Sequence, residues 1–224
     1  MQRAFLFLCL GYALLAQSRN VTAIGSASVF ASPDQVAISV TVSTLGTSAQ
    51  DAASKNADRV NTLLGALQKL IDGNGELKTT SYYISPNYLY PSNGGTPTIT
   101  GYTANSTVEA TLRQISLAGP VIDTSAQSGA TTISGLSFSL RDSEPQRLQA
   151  LKMATQQARA HADAMASGAG RTLGAVSFLQ EGAVVRMLPI NTLAPVGAGG
   201  AGATPVQSGL IEVQAAVTLT ADLN

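Results

Sequence analysis

The sequence predicts an α+β fold in which a mostly antiparallel sheet is packed by two long amphipathic helices and one shorter helix. In several segments apolar residues recur at every second position, which is the period of a half-buried strand. In two long segments they recur at helical spacing instead. Turn-forming residues at 33–34 and 91–95 separate neighbouring strand patterns, which favours hairpins and antiparallel pairing.

The first two strands are predicted on either side of a turn at Pro33 and Asp34. Residues 21–30 form a short run of strand-forming residues before the turn. After it, small or polar residues alternate with the branched apolar residues Val36, Ile38, Val40 and Val42. One face of the second strand should therefore be buried.

The first long helix is predicted between Thr47 and Gly73. Thr47 and Gln50 have the spacing of a capping box, which satisfies backbone N–H groups at the start of a helix. Glycine is common just after the last turn of a helix, so Gly73 should end it. The apolar residues at helical spacing are Ala49, Ala52, Ala53, Val60, Leu63, Leu64, Leu67, Leu70 and Ile71.

A hairpin is predicted next, with strands at 77–90 and 99–112 joined by the turn residues 91–95. Its tyrosines are the candidate interface residues, because tyrosine combines a large contact area with a polar tip. Strand packing is the alternative, since tyrosine is also a good strand residue. The tyrosines are Tyr82, Tyr83, Tyr88, Tyr90 and Tyr102.

A shorter helix is predicted over residues 117–128, with Pro120 tolerated in its first turn. Leu136, Phe138 and Leu140 alternate with serines and predict a strand. A second long helix then begins near Ser143. Its predicted inner stripe consists of Leu148, Leu151, Ala154, Ala158, Ala162 and Met165.

Two more strands are predicted at residues 173–182 and 210–220, separated by a Gly-, Ala- and Pro-rich loop at 183–207. In the closing strand, apolar residues alternate along one face, from Ile211 to Leu219. Residues 21–224 are thus predicted to form a single α+β domain.

The composition argues against several classes of partner. Hydrophobic residues make up 45% of the 224 residues and charged residues 12%, which is typical of a folded chain. The formal net charge is zero and the lysines and arginines are scattered. A nucleic acid is therefore not expected as a partner, because its phosphates need a concentrated basic surface.

Residues 1–16 are predicted to be a secretory signal peptide. Arg3 precedes an uncharged apolar run from Ala4 to Ala16, which is shorter than the roughly 20 residues that span a bilayer. Cleavage would remove Cys9, the only cysteine, so disulfides and thiolate chemistry are not expected afterwards. The predicted location is the periplasm, or association with the outer membrane, with no stable membrane span in the mature form.

Many short motifs occur along the chain in a specific order and spacing. They are Gly25, Pro33-Asp34, Ile84, Pro86, Tyr88, Tyr90, Ile99-x-Gly101-Tyr102-x-Ala104, Val121-Ile122-Asp123, Gly129-Ala130, Leu136-x-Phe138, Leu173-Gly174, Pro205-Val206 and Gly209. In this order and spacing the chain resembles the SIMPL-domain family, which includes the bacterial periplasmic immunogenic proteins. The resemblance implies an α+β domain in the envelope, a link to envelope or oxidative stress, assembly into large oligomers in one relative, and no established catalytic residues.

Candidate catalytic residues are few, and each has a simpler structural interpretation. His161, the only histidine, is expected to pack partly buried at the margin of the helix stripe, and one histidine without cysteine argues against zinc. Gly197-x-Gly199-x-x-Gly202 matches a dinucleotide fingerprint but leads into a strand, so a flexible loop is expected. The acidic residues at turns and helix starts should serve as caps: Asp34, Asp123, Asp142 and Glu144.

No enzymatic activity, cofactor or metal is therefore expected. We predict an exported protein that assembles with itself through strand edges and the tyrosine-bearing hairpin. A second envelope protein is another expected partner. The alternative is a periplasmic protein that binds a small ligand between its helices and sheet.

Overall fold

The computed structural model describes residues 19–92, 94–182 and 204–224, together with the backbone of 187–190. The predicted signal peptide 1–16, Cys9 and the glycine motif 197–202 lie outside these residues. The described residues form two compact units. Unit 1 contains 19–27, 149–182 and 215–224, and unit 2 contains the remaining described residues from 28 to 148 and from 187 to 214.

The predicted α+β class is confirmed, with the strands divided between two sheets instead of one. The strands are β1 (Asn20–Ala31), β2 (Gln35–Gly46), β3 (Gly75–Leu89), β4 (Thr98–Leu112), β5 (Thr132–Ser139), β6 (Leu173–Glu181), β7 (Met187–Ile190) and β8 (Leu210–Leu223). The helices are α1 (Ala49–Ile71), α2 (Ala118–Gln127) and α3 (Glu144–Gly168).

Unit 2 is built on an antiparallel sheet with the strand order β3-β4-β2-β5. The alternating residues Val36, Ile38, Val40 and Val42 of β2 are all buried, as predicted. They pack with Leu63 and Leu67 of α1 and with Val121 of α2 in one hydrophobic core. Burial of these side chains is the main force that holds the helices on the sheet.

Helix α1 begins one residue later than the sequence predicts. Ser48 is the N-cap residue, and its hydroxyl accepts a hydrogen bond from the backbone N–H of Asp51 at 3.1 Å. The carboxylate of Asp51 in turn accepts from the backbone N–H of Thr47 at 3.0 Å. The predicted pair of Thr47 and Gln50 is therefore wrong, because the side chains of Ser48 and Asp51 make the hydrogen bonds at the start of the helix.

Helix α2 and strand β5 complete unit 2. Pro120 lies in the first turn of α2, as predicted. The strand predicted from the alternation of Leu136 and Phe138 is confirmed as β5, but Leu136 is 44% exposed. Gly135, with a φ of 66°, and a shift in the pairing of β5 with β2 interrupt the alternation there. A bulge of this kind changes the face on which the following side chain lies.

Unit 1 combines helix α3 with the sheet in which β8 lies between β1 and β6. The side of α3 that is buried consists only of alanines, one per turn: Ala150, Ala154, Ala158, Ala162 and Ala166. The predicted inner stripe is therefore wrong at Leu148 and Met165, which are 54% and 46% exposed. Small side chains allow a helix to lie close to a sheet. A Cβ atom on the buried Gly25 of β1 would overlap backbone atoms of Ala154 and Ala158.

The predicted loop at 183–207 contains one strand that the sequence pattern does not indicate. Strand β7 pairs antiparallel with residues 210–213 of β8. The closing strand itself is confirmed, and its predicted apolar face is buried at Ile211, Val213, Ala215, Val217 and Leu219. Among the described residues, none of the helices is long and apolar enough to cross a membrane.

Candidate functional site

The hairpin of β3 and β4 extends beyond the rest of its sheet. The pairing of β2 with β4 ends at Gly46 and Tyr102. The pairing of β3 with β4 continues for several residues past that point, to Leu89 and Thr98. Residues 87–89 and 98–101 therefore form a two-stranded extension. Together with Tyr90, which directly follows β3, we call it the tyrosine ribbon. Two strands alone are marginally stable in water, so such a ribbon gains from further contacts.

The tyrosine ribbon exposes most of its large apolar side chains. Tyr88 is 49% exposed, Leu89 59%, Tyr90 72% and Ile99 52%. The rings of Tyr88 and Tyr90 have centroids 6.2 Å apart and are tilted by 48°. Tyr88 and its pairing partner Ile99 lie on one face of the ribbon, whereas Leu89 lies on the other face. Exposed apolar clusters such as the one around Tyr88 are uncommon on monomeric proteins unless they take part in an interaction.

The structure brings together only some of the five predicted tyrosines. Tyr82 and Tyr83 are 54% and 55% exposed, but as neighbours in a strand they lie on opposite faces of the sheet. Tyr102 is half-buried and is paired with Pro86 and Gly46 inside the sheet. Tyr88 and Tyr90 are therefore the pair that shares a surface.

Sequence reasoning missed Leu89 and Ile99, the two aliphatic residues of the tyrosine ribbon. Alternation alone suggests that such residues are buried, because it does not show where neighbouring strands end. The signal that could have found them is the length of the hairpin. Strands β3 and β4 have 15 residues each, whereas β2 has 12.

Strand β3 also forms an edge of its sheet. Its neighbour on one side is β4, and no other described strand pairs with it. A long edge strand presents a row of backbone N–H and C=O groups that can pair with another chain. Its only charged side chains, Glu76 and Lys78, lie near its beginning, away from the tyrosine ribbon.

The edge strand β1 of unit 1 is covered in a different way. Gln157 of α3 accepts a hydrogen bond from the backbone N–H of Ser26 at 2.6 Å. His161, one turn later, donates from Nδ1 to the carbonyl oxygen of Ile24 at 2.9 Å. Two side chains of α3 thus satisfy the backbone groups that a neighbouring strand would otherwise bind.

The position of His161 corrects the prediction that it packs partly buried. Its side chain is exposed, because the buried stripe of α3 runs through the alanines and leaves His161 beside the edge of β1. It lies in an open groove with a cavity volume of about 520 Å³. The groove is lined by Thr22, Ala23, Ile24, His161, Ala164 and Met165.

Of the acidic residues predicted to be caps, Asp142 binds a backbone N–H at the start of α3, whereas Asp34 binds a residue distant in the sequence and Glu144 forms an ion pair. Asp34 accepts from the backbone N–H of Arg141 at 2.7 Å. Asp142 accepts from the N–H of Glu144 at 2.9 Å, and Glu144 pairs with Arg147 at 2.7 Å. That hydrogen bond to Arg147 lowers the pKa of the Glu144 carboxyl.

Asp123 has a different partner from the helix cap that was predicted. It accepts hydrogen bonds from the hydroxyl of Thr204 at 2.5 Å and from the backbone N–H of the same residue at 3.1 Å. The side-chain bond, followed by the backbone bond, lowers the pKa of Asp123. The described residues hold no group of three or more His, Cys, Asp or Glu side chains that could bind a metal ion.

Comparison with known proteins identifies the family. Residues 21–221 match the SIMPL family, described as a protein of unknown function (DUF541). The chain belongs to the SIMPL family. The match includes the tyrosine ribbon, the edge strand β3 and the groove beside His161, so all three candidate features belong to the family domain.

Two bacterial proteins are similar to most of the chain. The chain is 28% identical to the 26 kDa periplasmic immunogenic protein of Brucella melitensis over 173 residues, which are 75% of this chain and 68% of that protein. It is 27% identical to the uncharacterized protein YggE of Escherichia coli K12 over 191 residues, which are 82% of this chain and 76% of that protein.

Proposed function

We propose that this SIMPL protein is exported to the periplasm and works by self-assembly, using the tyrosine ribbon and the outer edge of β3, and not by catalysis. The observation that carries the proposal is the exposure of Tyr88, Leu89, Tyr90 and Ile99 on a hairpin that extends past its sheet. Burial of these side chains against a second copy would remove apolar surface from water.

The location is supported by two independent features. Residues 1–16 have the pattern of a secretory signal peptide. The relatives from Brucella carry the word periplasmic in their names. We further propose association with the outer membrane and a second envelope protein as partner. We also propose a role in envelope or oxidative stress, which the survival of a deletion strain under peroxide would test.

A second copy of this chain is the occupant that best fits the edge of β3. Two β3 edges have identical backbone groups, and a two-fold axis could pair them as antiparallel strands. The ribbon carries no charged side chain, so two copies would bring no like charges together there. In β1, by contrast, Gln157 and His161 of α3 already bind the backbone N–H of Ser26 and the C=O of Ile24, which makes that edge less available for pairing than the edge of β3.

Cross-linking in the envelope tests this proposal. In a Cys9→Ser background, Tyr88→Cys places the only thiol of the chain on the ribbon, and a short bifunctional maleimide should then give covalent dimers. Leu148→Cys is the matched control, because Leu148 is 54% exposed and lies on α3. Equal dimer yields from the two variants, or none from Tyr88→Cys, would reject the ribbon as the contact.

Small-ligand binding is the second candidate function, and the groove beside His161 favours it. The groove is open, mostly apolar, and large enough for a small organic molecule. Ala164→Phe would fill part of it and should weaken the binding of an apolar fluorescent dye. Unchanged dye binding would remove the groove as the ligand site.

A further inference from the structure

His161 is held in one tautomer by the backbone. A carbonyl oxygen can only accept a hydrogen bond, so Nδ1, at 2.9 Å from the oxygen of Ile24, carries the proton. In the neutral imidazole, Nε2 then has a free lone pair. Histidines that bind metals are usually oriented in this way, with the second ring nitrogen donating to a carbonyl or carboxylate.

Met165 supplies a second donor atom in the same groove. It lies four residues after His161 on α3, and side chains at this spacing are neighbours on one face of a helix. Both residues line the groove, and Met165 is 46% exposed.

The rest of the groove selects against most metal ions. Its other lining residues are Thr22, Ala23, Ile24 and Ala164, none of which has a carboxylate. Calcium and magnesium need several oxygen ligands, and structural zinc needs four nitrogen or sulfur ligands. Imidazole combined with a thioether suits a soft ion such as copper(I).

We propose that His161 and Met165 form a two-ligand site for a soft monovalent metal ion of the copper(I) class. The argument that one histidine cannot hold zinc does not apply to such an ion, because a thioether is a competent soft ligand. The site lies within unit 1 and does not depend on assembly through β3 or on binding of an organic ligand.

Silver(I) is the probe for this site, because it shares the ligand preference of copper(I) and does not change its oxidation state under these conditions. The exported protein, labelled with [¹³C-methyl]methionine, is titrated with silver nitrate in a chloride-free buffer. The methyl resonance of Met165 should shift and saturate near one equivalent.

Met153 is a matched internal control. It is 43% exposed on the same helix, but the residues four positions before and after it are Gln149 and Gln157. Its methyl resonance should not move at one equivalent. Equal shifts of Met153 and Met165 would mean that silver binds any exposed thioether, and would overturn the proposal.

His161→Asn removes the proposed metal ligand, Nε2, and can keep the hydrogen bond to the carbonyl oxygen of Ile24. The amide nitrogen of asparagine can replace Nδ1 as the donor to Ile24, whereas Nε2 is lost. Silver affinity should fall by about tenfold or more, since even the loss of a residue behind a metal ligand commonly costs that much. Met165→Leu should abolish binding at His161, and Met153→Leu should leave it unchanged.

If His161→Asn bound silver as tightly as the wild type, the proposed site would be wrong, even though the protein binds silver elsewhere. The metal-free methyl spectrum of each variant shows whether the fold is intact. An oligomer that persists while silver binding is absent would remove this site and leave the assembly proposal standing.

Discussion

The hydroxyl of Ser106 donates to the side-chain oxygen of Asn56 at 2.5 Å, in the buried space between helix α1 and strand β4. The amide nitrogen of Asn56 donates to the backbone carbonyl oxygens of Val42 at 3.0 Å and Ala104 at 3.2 Å. One buried side chain thus joins α1 to both central strands of the unit 2 sheet. It fixes the position of the helix on an otherwise apolar surface.

Replacement of Asn56 should destabilise the protein strongly. Asn56→Ala leaves the hydroxyl of Ser106 and two buried carbonyl oxygens without this partner, and we expect the free energy of unfolding to fall by about 2–3 kcal/mol. Asn61→Ala is the control, because Asn61 is exposed on the same helix and alanine is the better helix former. Equal urea midpoints for the two variants would contradict the role of Asn56.

Close packing of β1 on α3 predicts opposite effects for two glycine substitutions. Gly25→Ala should destabilise by about 2 kcal/mol or more, because the new Cβ atom overlaps the backbone of α3. Gly65→Ala should stabilise by about 0.5–1 kcal/mol, because a Cβ there meets no other atom within 4 Å and the position is an exposed site in α1. Thermal unfolding measures both changes in stability. An unchanged stability of Gly25→Ala would contradict the close packing of β1 on α3.

The cap of α1 can be tested with two adjacent residues. Ser48→Ala should cost about 1 kcal/mol, because it removes the acceptor for the backbone N–H of Asp51. Thr47→Ala should cost less, since Thr47 bonds to Asp51 through its backbone N–H, which the substitution keeps. If Thr47→Ala lost more stability than Ser48→Ala, Thr47 would be the N-cap residue, as the sequence predicts.

The contact between Asp123 and Thr204 predicts a pH dependence. Its hydrogen bonds lower the pKa of Asp123 in the folded protein. The stability they provide is therefore complete above the unfolded pKa of about 3.9, and is lost as the pH falls through the folded pKa. In an NMR titration, Thr204→Val should raise the pKa of Asp123 towards its ordinary value. An unchanged titration would show that the hydroxyl does not bind the carboxylate.

The sequence predicts the secondary structure well where the spacing of apolar residues and the positions of turn-forming residues indicate the same element. The alternation from Val36 to Val42 and the position of Pro120 in α2 are both confirmed. The errors arise where tertiary contacts decide. In α3, helical spacing alone predicts that the larger Leu148 and Met165 are buried. The close approach of Gly25 requires alanines on the buried side instead.

The candidate sites were predicted only in part, for a similar reason. The tyrosines of the hairpin could be identified from composition, but the ribbon depends on where β2 stops pairing with β4. The environment of His161 depends on the edge of β1, which is more than a hundred residues away along the chain. Contacts between distant segments leave no local pattern in the sequence.

The most direct test of assembly through the tyrosine ribbon is the mass of the exported protein in solution, measured by multi-angle light scattering over a range of concentrations. The wild type should be an oligomer, and Leu89→Lys should shift it towards the monomer, because a charge on the ribbon opposes its burial. Leu148→Lys, at a similarly exposed leucine on α3, should leave the mass unchanged. A wild-type protein that stays monomeric at the highest concentration would contradict assembly through the ribbon.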